Sequence, residues 1–212
     1  MTKSRSNATA PNAKGTLVVG NGTDASTTLA VASTAGYVLT VDSAEATGLK
    51  WAAAAGGMTL LSTTTLSGSS TSISVSSGYR DLYIIVRNAQ PGTNGTDSYM
   101  RLNNDSNSRY NTFTQYNANL AFGDTYWGSI TYPNSSSGTT ALYAITLYDY
   151  DNTSTYKLGQ ITAVGVSSTN TSNSTTQRVM GAYNQTGAIT SVQFNVGGGT
   201  WTAGTVLVYG VK

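Results

Sequence analysis

Between Lys14 and Trp51 the chain carries three apolar runs, Leu17–Val19, Leu29–Val31 and Tyr37–Val41, each cut off by Gly, Asn, Asp, Ser or Thr. Each run has the length of a short strand, is flanked by turn formers and is too short to bury itself. A segment of about forty residues cannot close a core alone. It needs a neighbour, most simply further copies of the same chain. That requirement points to an assembly part rather than an enzyme.

Composition narrows the chemistry. The 212 residues include no Cys and no His. Disulfides, thiolate and imidazole metal sites, and every Ser–His or Cys–His nucleophile pair are therefore excluded. Charged residues make up 9% of the chain, against about 25% in an average soluble domain. The net charge of +2 implies no broad basic surface for nucleic acid. The first residues, MTKSRSNATAPNAKG, lack the apolar stretch of a signal peptide. No run approaches the roughly 18 apolar residues of a membrane span. Synthesis in the cytosol is the expected origin, with no membrane insertion.

Three parts follow from the patterning. Residues 1–14 are polar and carry Lys3, Arg5 and Lys14, which reads as an extended arm ordered against a partner. Residues 15–57 are the β-rich segment, ending in a glycine hinge at Gly56–Gly57. A helix over Ala44–Ala55, capped by Ser43, competes there, but Gly48 and the short length oppose it. Residues 58–212 hold strand candidates at Ser72–Val75, Asp81–Arg87, Ser98–Leu102, Asn111–Ala118, Trp127–Tyr132, Ala141–Tyr148, Lys157–Val166, Gln177–Tyr183, Ile189–Val196 and Thr205–Val211. The run Leu82–Val86 is long enough for a central strand buried on both faces. With Gly- and Asn-rich turns and no helical periodicity, the expected fold is all-β: a short N-terminal β-segment, then an antiparallel, jelly-roll-like β-sandwich.

The order G-x-L-V-V-G, L-x-V, G-x-V-L-T-x-D-S and G-L-K-W, spaced by Gly36, Leu39, Asp42, Ser43, Gly48 and Trp51, resembles a segment of bacteriophage fibre and virion-surface proteins. The later R-L-N-N-D-S-x-S-x-Y at Arg101–Tyr110 and A-G-T-V-L-V-Y-G-V-K at Ala203–Lys212 resemble C-terminal β-sandwich domains of phage appendage proteins. The resemblance implies a virion structural protein of fibre, head-fibre or capsid-decoration type. It also implies a homotrimer whose partners are other virion proteins of the capsid or tail.

Candidate residues divide by chemistry. Docking and oligomerisation fall to Lys3, Arg5, Lys14, Leu17, Val18, Val19, Leu29, Val31, Tyr37, Leu39 and Trp51. Tyr110, Tyr116, Tyr126, Trp127 and Tyr132 are candidates for a platform that stacks on host surface glycans, since such rings pair an apolar face with a polar tip. The same rings equally suit half-buried sandwich faces and subunit contacts. The loop Asn103–Ser108 is rich in oxygen donors that calcium accepts, yet one carboxylate is little charge for a tight site, and a strand-connecting loop is the favoured reading. Asp149 and Asp151 are near neighbours, as a hydrolase's acid and base would need to be, but their place between two strands favours a turn. Arg80, Arg87, Arg101 and Arg109 are expected to pair with Asp81, Asp97 or Asp105. No cofactor or catalytic residue is expected. The alternatives to a fibre-like appendage are a capsid decoration protein and a carbohydrate-binding module.

Overall fold

The computed structural model describes residues 13–22, 25–54, 57–93, 96–115, 119–128, 140–166 and 174–212. The chain divides into two compact units, Met1–Gly56 and Gly57–Lys212. All regular elements among the described residues are strands.

The first unit holds two hairpins. β1 (Leu17–Gly20) pairs with β2 (Ser26–Leu29), and β3 (Tyr37–Val41) pairs with β4 (Leu49–Ala53), both antiparallel. The stretch where a helix competed is therefore a turn and a strand. Gly48 sits at φ 69°, a conformation that ends a helix and closes a hairpin.

The second unit is an antiparallel β-sandwich with its strands divided unequally. Its larger sheet contains β5 (Met58–Thr65), β7 (Asp81–Pro91), β9 (Tyr110–Thr114), β10 (Asn119–Asp124), β11 (Ala141–Tyr148), β12 (Lys157–Val166), β13 (Ser174–Tyr183) and β15 (Trp201–Val211). These eight run in the order β10-β9-β13-β12-β11-β7-β15-β5. The smaller sheet, β6-β14-β8, is built from β6 (Ser70–Ser74), β14 (Ser191–Val196) and β8 (Ser98–Leu102).

The core lies between the sheets. Alternation along β11 sends Ala141, Tyr143, Ile145 and Leu147 inward, and Leu82, Ile84 and Val86 of β7 join them, all buried. The smaller sheet contributes Ile73, Met100, Leu102, Val192 and Phe194 to the same cluster. Burying each such side chain stabilises the fold by about 1.5–3 kcal/mol relative to leaving it exposed. A buried hydrogen bond between Ser98 Oγ and the Tyr143 hydroxyl, 3.0 Å, ties β8 to β11.

The β7 run behaves differently from its sequence reading on one side. Its inner residues are fully buried, but Tyr83 and Ile85 on the outer side are half-buried. β7 is central, between β11 and β15, and its outer-face residues are less buried than its inner ones.

Sequence patterning missed β5 and β10. Both are edge strands of the eight-stranded sheet, where one neighbour is lacking and the hydrophobic demand is weaker. Trp127, expected to begin a strand, instead forms an isolated bridge to Met100. Residues 129–132 of that candidate strand lie outside the described residues.

Candidate docking site

The N-terminal unit supplies the residues that sequence reading assigned to docking. In β1–β2, Leu17 pairs with Leu29, Val18 with Thr28 and Val19 with Thr27. In β3–β4, Tyr37 pairs with Ala53, Leu39 with Trp51 and Val41 with Leu49. Paired residues share a face, so Tyr37, Leu39, Val41, Leu49 and Trp51 form one apolar surface.

Two polar devices hold this surface in shape. The Trp51 indole N–H donates to the Ala30 carbonyl at 2.7 Å, which ties the second hairpin to the end of the first. The β3–β4 turn is closed by the Asp42 N–H on the Gly48 carbonyl, 2.8 Å, and by the Asp42 carboxylate accepting from the Ala44 N–H, 2.9 Å. Lys50 Nζ reaches the same carboxylate at 2.5 Å. The Lys50 hydrogen bond, followed by the Ala44 N–H, holds the Asp42 carboxyl below its ordinary pKa.

Among its described residues this unit has no buried side chain. Val41 is 85% exposed and Val31 55%, while Leu17, Val18, Tyr37, Val38 and Leu39 are also exposed. A shallow hollow of about 330 Å³ lies among Leu29, Val31, Tyr37, Leu49 and Trp51. Lys14 is exposed ahead of β1; Lys3 and Arg5 lie outside the described residues. Val41 and Leu49 belong to the same surface but were not singled out. Their signal was present in the Tyr37–Val41 run and in its hairpin pairing.

The glycan candidates do not converge. Tyr110 and Trp127 are fully buried, so neither ring can meet a sugar; this corrects their assignment. Trp127 packs beside Gly159 and Gly181, where an added Cβ would collide with the indole. Tyr110 stacks on Tyr183 with ring centroids 4.9 Å apart. Burial, the dominant cause, pushes its hydroxyl pKa up to about 12. Tyr126 is half-buried and lies 4.5 Å, centroid to centroid, from Tyr99. Tyr116 and Tyr132 lie outside the described residues.

The oxygen-rich loop spends its donors and acceptors internally. Asn103 and Asn104 adopt positive φ of 53° each, which asparagine tolerates better than most side chains. The Asn103 side-chain oxygen accepts from the N–H groups of Thr190, 2.8 Å, and Ser191, 3.2 Å. The Asp105 carboxylate accepts from the Asn107 N–H, the Asn107 amide and the Tyr183 hydroxyl, with Arg109 at 3.5 Å. Among the described residues no three carboxylates gather as a metal site would require.

The paired aspartates serve a turn. Asp149 sits at φ 45°, its N–H donates to Asp81 and its carbonyl accepts from Asn152. Asp151 accepts from the Gly78 N–H at 2.9 Å. Of the four arginines, Arg80 pairs with Asp81 at 2.7 Å and Arg109 with Asp105. Arg101 departs from expectation: it donates to the Thr125 carbonyl and lies over the Tyr99 ring.

No protein-family model, curated protein or solved structure matches this chain.

Proposed function

We propose that this chain is a structural subunit of a bacteriophage virion surface, a homotrimeric appendage docked by its N-terminal region with the sandwich projecting outward. One observation carries the reading. The first unit folds into two defined hairpins yet leaves an apolar face open, the expected state of a segment completed by other chains. The phage-like motif order of the same segment supplies the kind of assembly. The carboxylates of Asp81, Asp105 and Asp151 are engaged in turns and loops rather than gathered in a cleft as a hydrolase would need.

Removing residues 1–14 tests the docking claim. The truncated chain should still trimerise but fail to join particles. Normal incorporation of the truncation sinks the claim.

Capsid decoration is the second reading. It is favoured by the short connection between the units, since only Ala54–Gly57 separate β4 from β5 and no shaft intervenes. Copy number per particle separates the two: hundreds favour decoration, and a few dozen or fewer favour a fibre. A glycan-binding role loses support from the burial of Tyr110 and Trp127.

A further inference from the structure

The outer face of the smaller sheet brings two aromatic rings, a guanidinium and two amides together. On β8, Ser98, Met100 and Leu102 are buried toward the core, so the half-buried Tyr99 and Arg101 lie on the outer side. β14 alternates in the same way. Val192, Phe194 and Val196 belong to the core, which places Gln193 and Asn195 on the outer side. Register sets Arg101 beside Gln193, Tyr99 beside Asn195, and Asn195 beside Ser70 of β6. The antiparallel bridge between Met100 and Trp127 brings Tyr126 against β8, where its ring centroid lies 4.5 Å from that of Tyr99.

Two groups on this face are left incomplete. The Arg101 Nε donates to the Thr125 carbonyl at 3.0 Å, and its Cζ lies 5.2 Å from the Tyr99 ring centroid. The ion pairs among the described residues belong to Lys50, Arg80 and Arg109. Every Asp and Glu of the chain except Asp24 in the first unit lies among the described residues, so no carboxylate of the sandwich neutralises Arg101. Asn195 is only 4% exposed, and its one side-chain hydrogen bond among the described residues is a 3.4 Å donation to the Gln193 carbonyl. Its amide oxygen accepts none there. A half-buried cation and a covered amide, both short of partners, await a ligand that supplies them.

We infer that this patch binds a carboxylate-bearing saccharide, a uronic or sialic acid unit of a glycan. The inference is independent of the assembly reading above, since one chain carries the whole patch. Of the rings first considered for glycan contact, Tyr126 alone among the described residues belongs to it.

The chemistry selects the ligand. A guanidinium held by its Nε presents its terminal N–H groups as a fork that fits a planar carboxylate. Tyrosine rings offer apolar area to the C–H face of a sugar and a polar tip to its oxygens. Gln193, Asn195 and Ser70 add donors and acceptors for sugar hydroxyls. A free phosphate or sulfate would use the arginine and leave the rings idle. Single-stranded nucleic acid would use the rings, but it needs cations along its backbone. Arg101 is the only cation in the three strands of this sheet.

Calorimetric titration of the full-length chain tests this, with trigalacturonate and sialyllactose as probes beside their neutral counterparts, trigalacturonate methyl ester and lactose. At least one acidic sugar should bind at least about tenfold more tightly than its counterpart, and Arg101→Gln should remove that preference while leaving neutral-sugar binding unchanged. The variant should keep the wild-type melting range and sedimentation, so a loss of sugar binding is distinct from a failure of assembly. Binding that ignores the carboxylate, a preference that survives Arg101→Gln, or no binding of either acidic sugar overturns the inference. So does Arg101-dependent binding of a thymidine oligonucleotide or a polyglutamate peptide in place of the sugars. Should Arg101→Gln fail to fold, phenylglyoxal modification of the wild-type chain, mapped by mass spectrometry, reads the same contact. The acidic sugar should protect Arg101 and leave Arg87 unprotected; equal modification of Arg101 with and without sugar overturns the inference.

Discussion

The Tyr183 hydroxyl donates to the Asp105 carboxylate at 2.8 Å, joining the end of β13 to the Asn103–Ser108 loop 78 residues away in sequence. Burial opposes ionisation of Asp105, but the Asn107 N–H, the Tyr183 hydroxyl, the Asn107 amide and the Arg109 charge outweigh it and hold the carboxyl below its ordinary pKa. The loop is thus fixed by a charge-assisted bond.

A depressed folded-state pKa contributes stability that is present above the unfolded value, near 3.9, and is lost as pH falls through the folded one. Wild type should therefore lose stability on acidification below about pH 4, and Asp105→Asn should lose less over the same interval. At pH 7, Tyr183→Phe should cost about 1–3 kcal/mol, since the hydrogen bond removed has a charged acceptor. Urea denaturation at pH 7 and pH 3 checks both. Equal acid sensitivity of wild type and Asp105→Asn would show that this carboxylate is not the group responsible.

Trp127 fills its site because Gly159 and Gly181 have no side chains. A Cβ at Gly159 would lie 2.7 Å from the indole and 2.5 Å from the Thr146 carbonyl, and one at Gly181 would lie 2.5 Å from the Asn111 carbonyl. The nearest backbone cannot move aside without breaking strand pairing, so Gly181→Ala should destabilise by about 1–3 kcal/mol or more. Thermal melting with tryptophan fluorescence reads the change. A melting temperature within error of wild type would mean that the indole has room to shift.

Lys157 is fully buried, and its ammonium donates to the carbonyls of Asn152 at 2.5 Å, Thr155 at 2.7 Å and Thr186 at 3.0 Å. Desolvation lowers its pKa, while the charge of Asp149 acts in the opposite direction. Lys157→Met keeps the apolar stem but leaves three carbonyls without their donor. The expected cost is about 3–5 kcal/mol by chemical denaturation, because unpaired buried acceptors retain their full desolvation penalty. A loss below about 1 kcal/mol would mean that water replaces the ammonium.

Much of the architecture was legible in local pattern. β8, β11 and β12 begin and end where alternation or apolar runs place them, because their side chains choose between core and solvent at every second residue. Thr-rich β5 carries little apolar signal beyond Met58, Leu60 and Leu61, and its place at the sheet edge depends on pairing with β15 far along the chain. Trp127 looked like a surface aromatic because the glycines that make room for it lie 32 and 54 residues later. Nothing in the sequence marked Lys157 as buried, because its three acceptors are backbone atoms, invisible in residue type. The N-terminal hairpins were legible as strands, whereas the exposure of Leu142, Leu158 and Met180 on the larger sheet was not. Single strands show which residues alternate, not whether a second layer exists to cover them.

The mass of the full-length chain in solution, by sedimentation equilibrium, tests the central claim most directly. A subunit completed by its own copies should sediment at three times the 22.0 kDa chain mass. A single species of 22.0 kDa at every concentration would contradict the account.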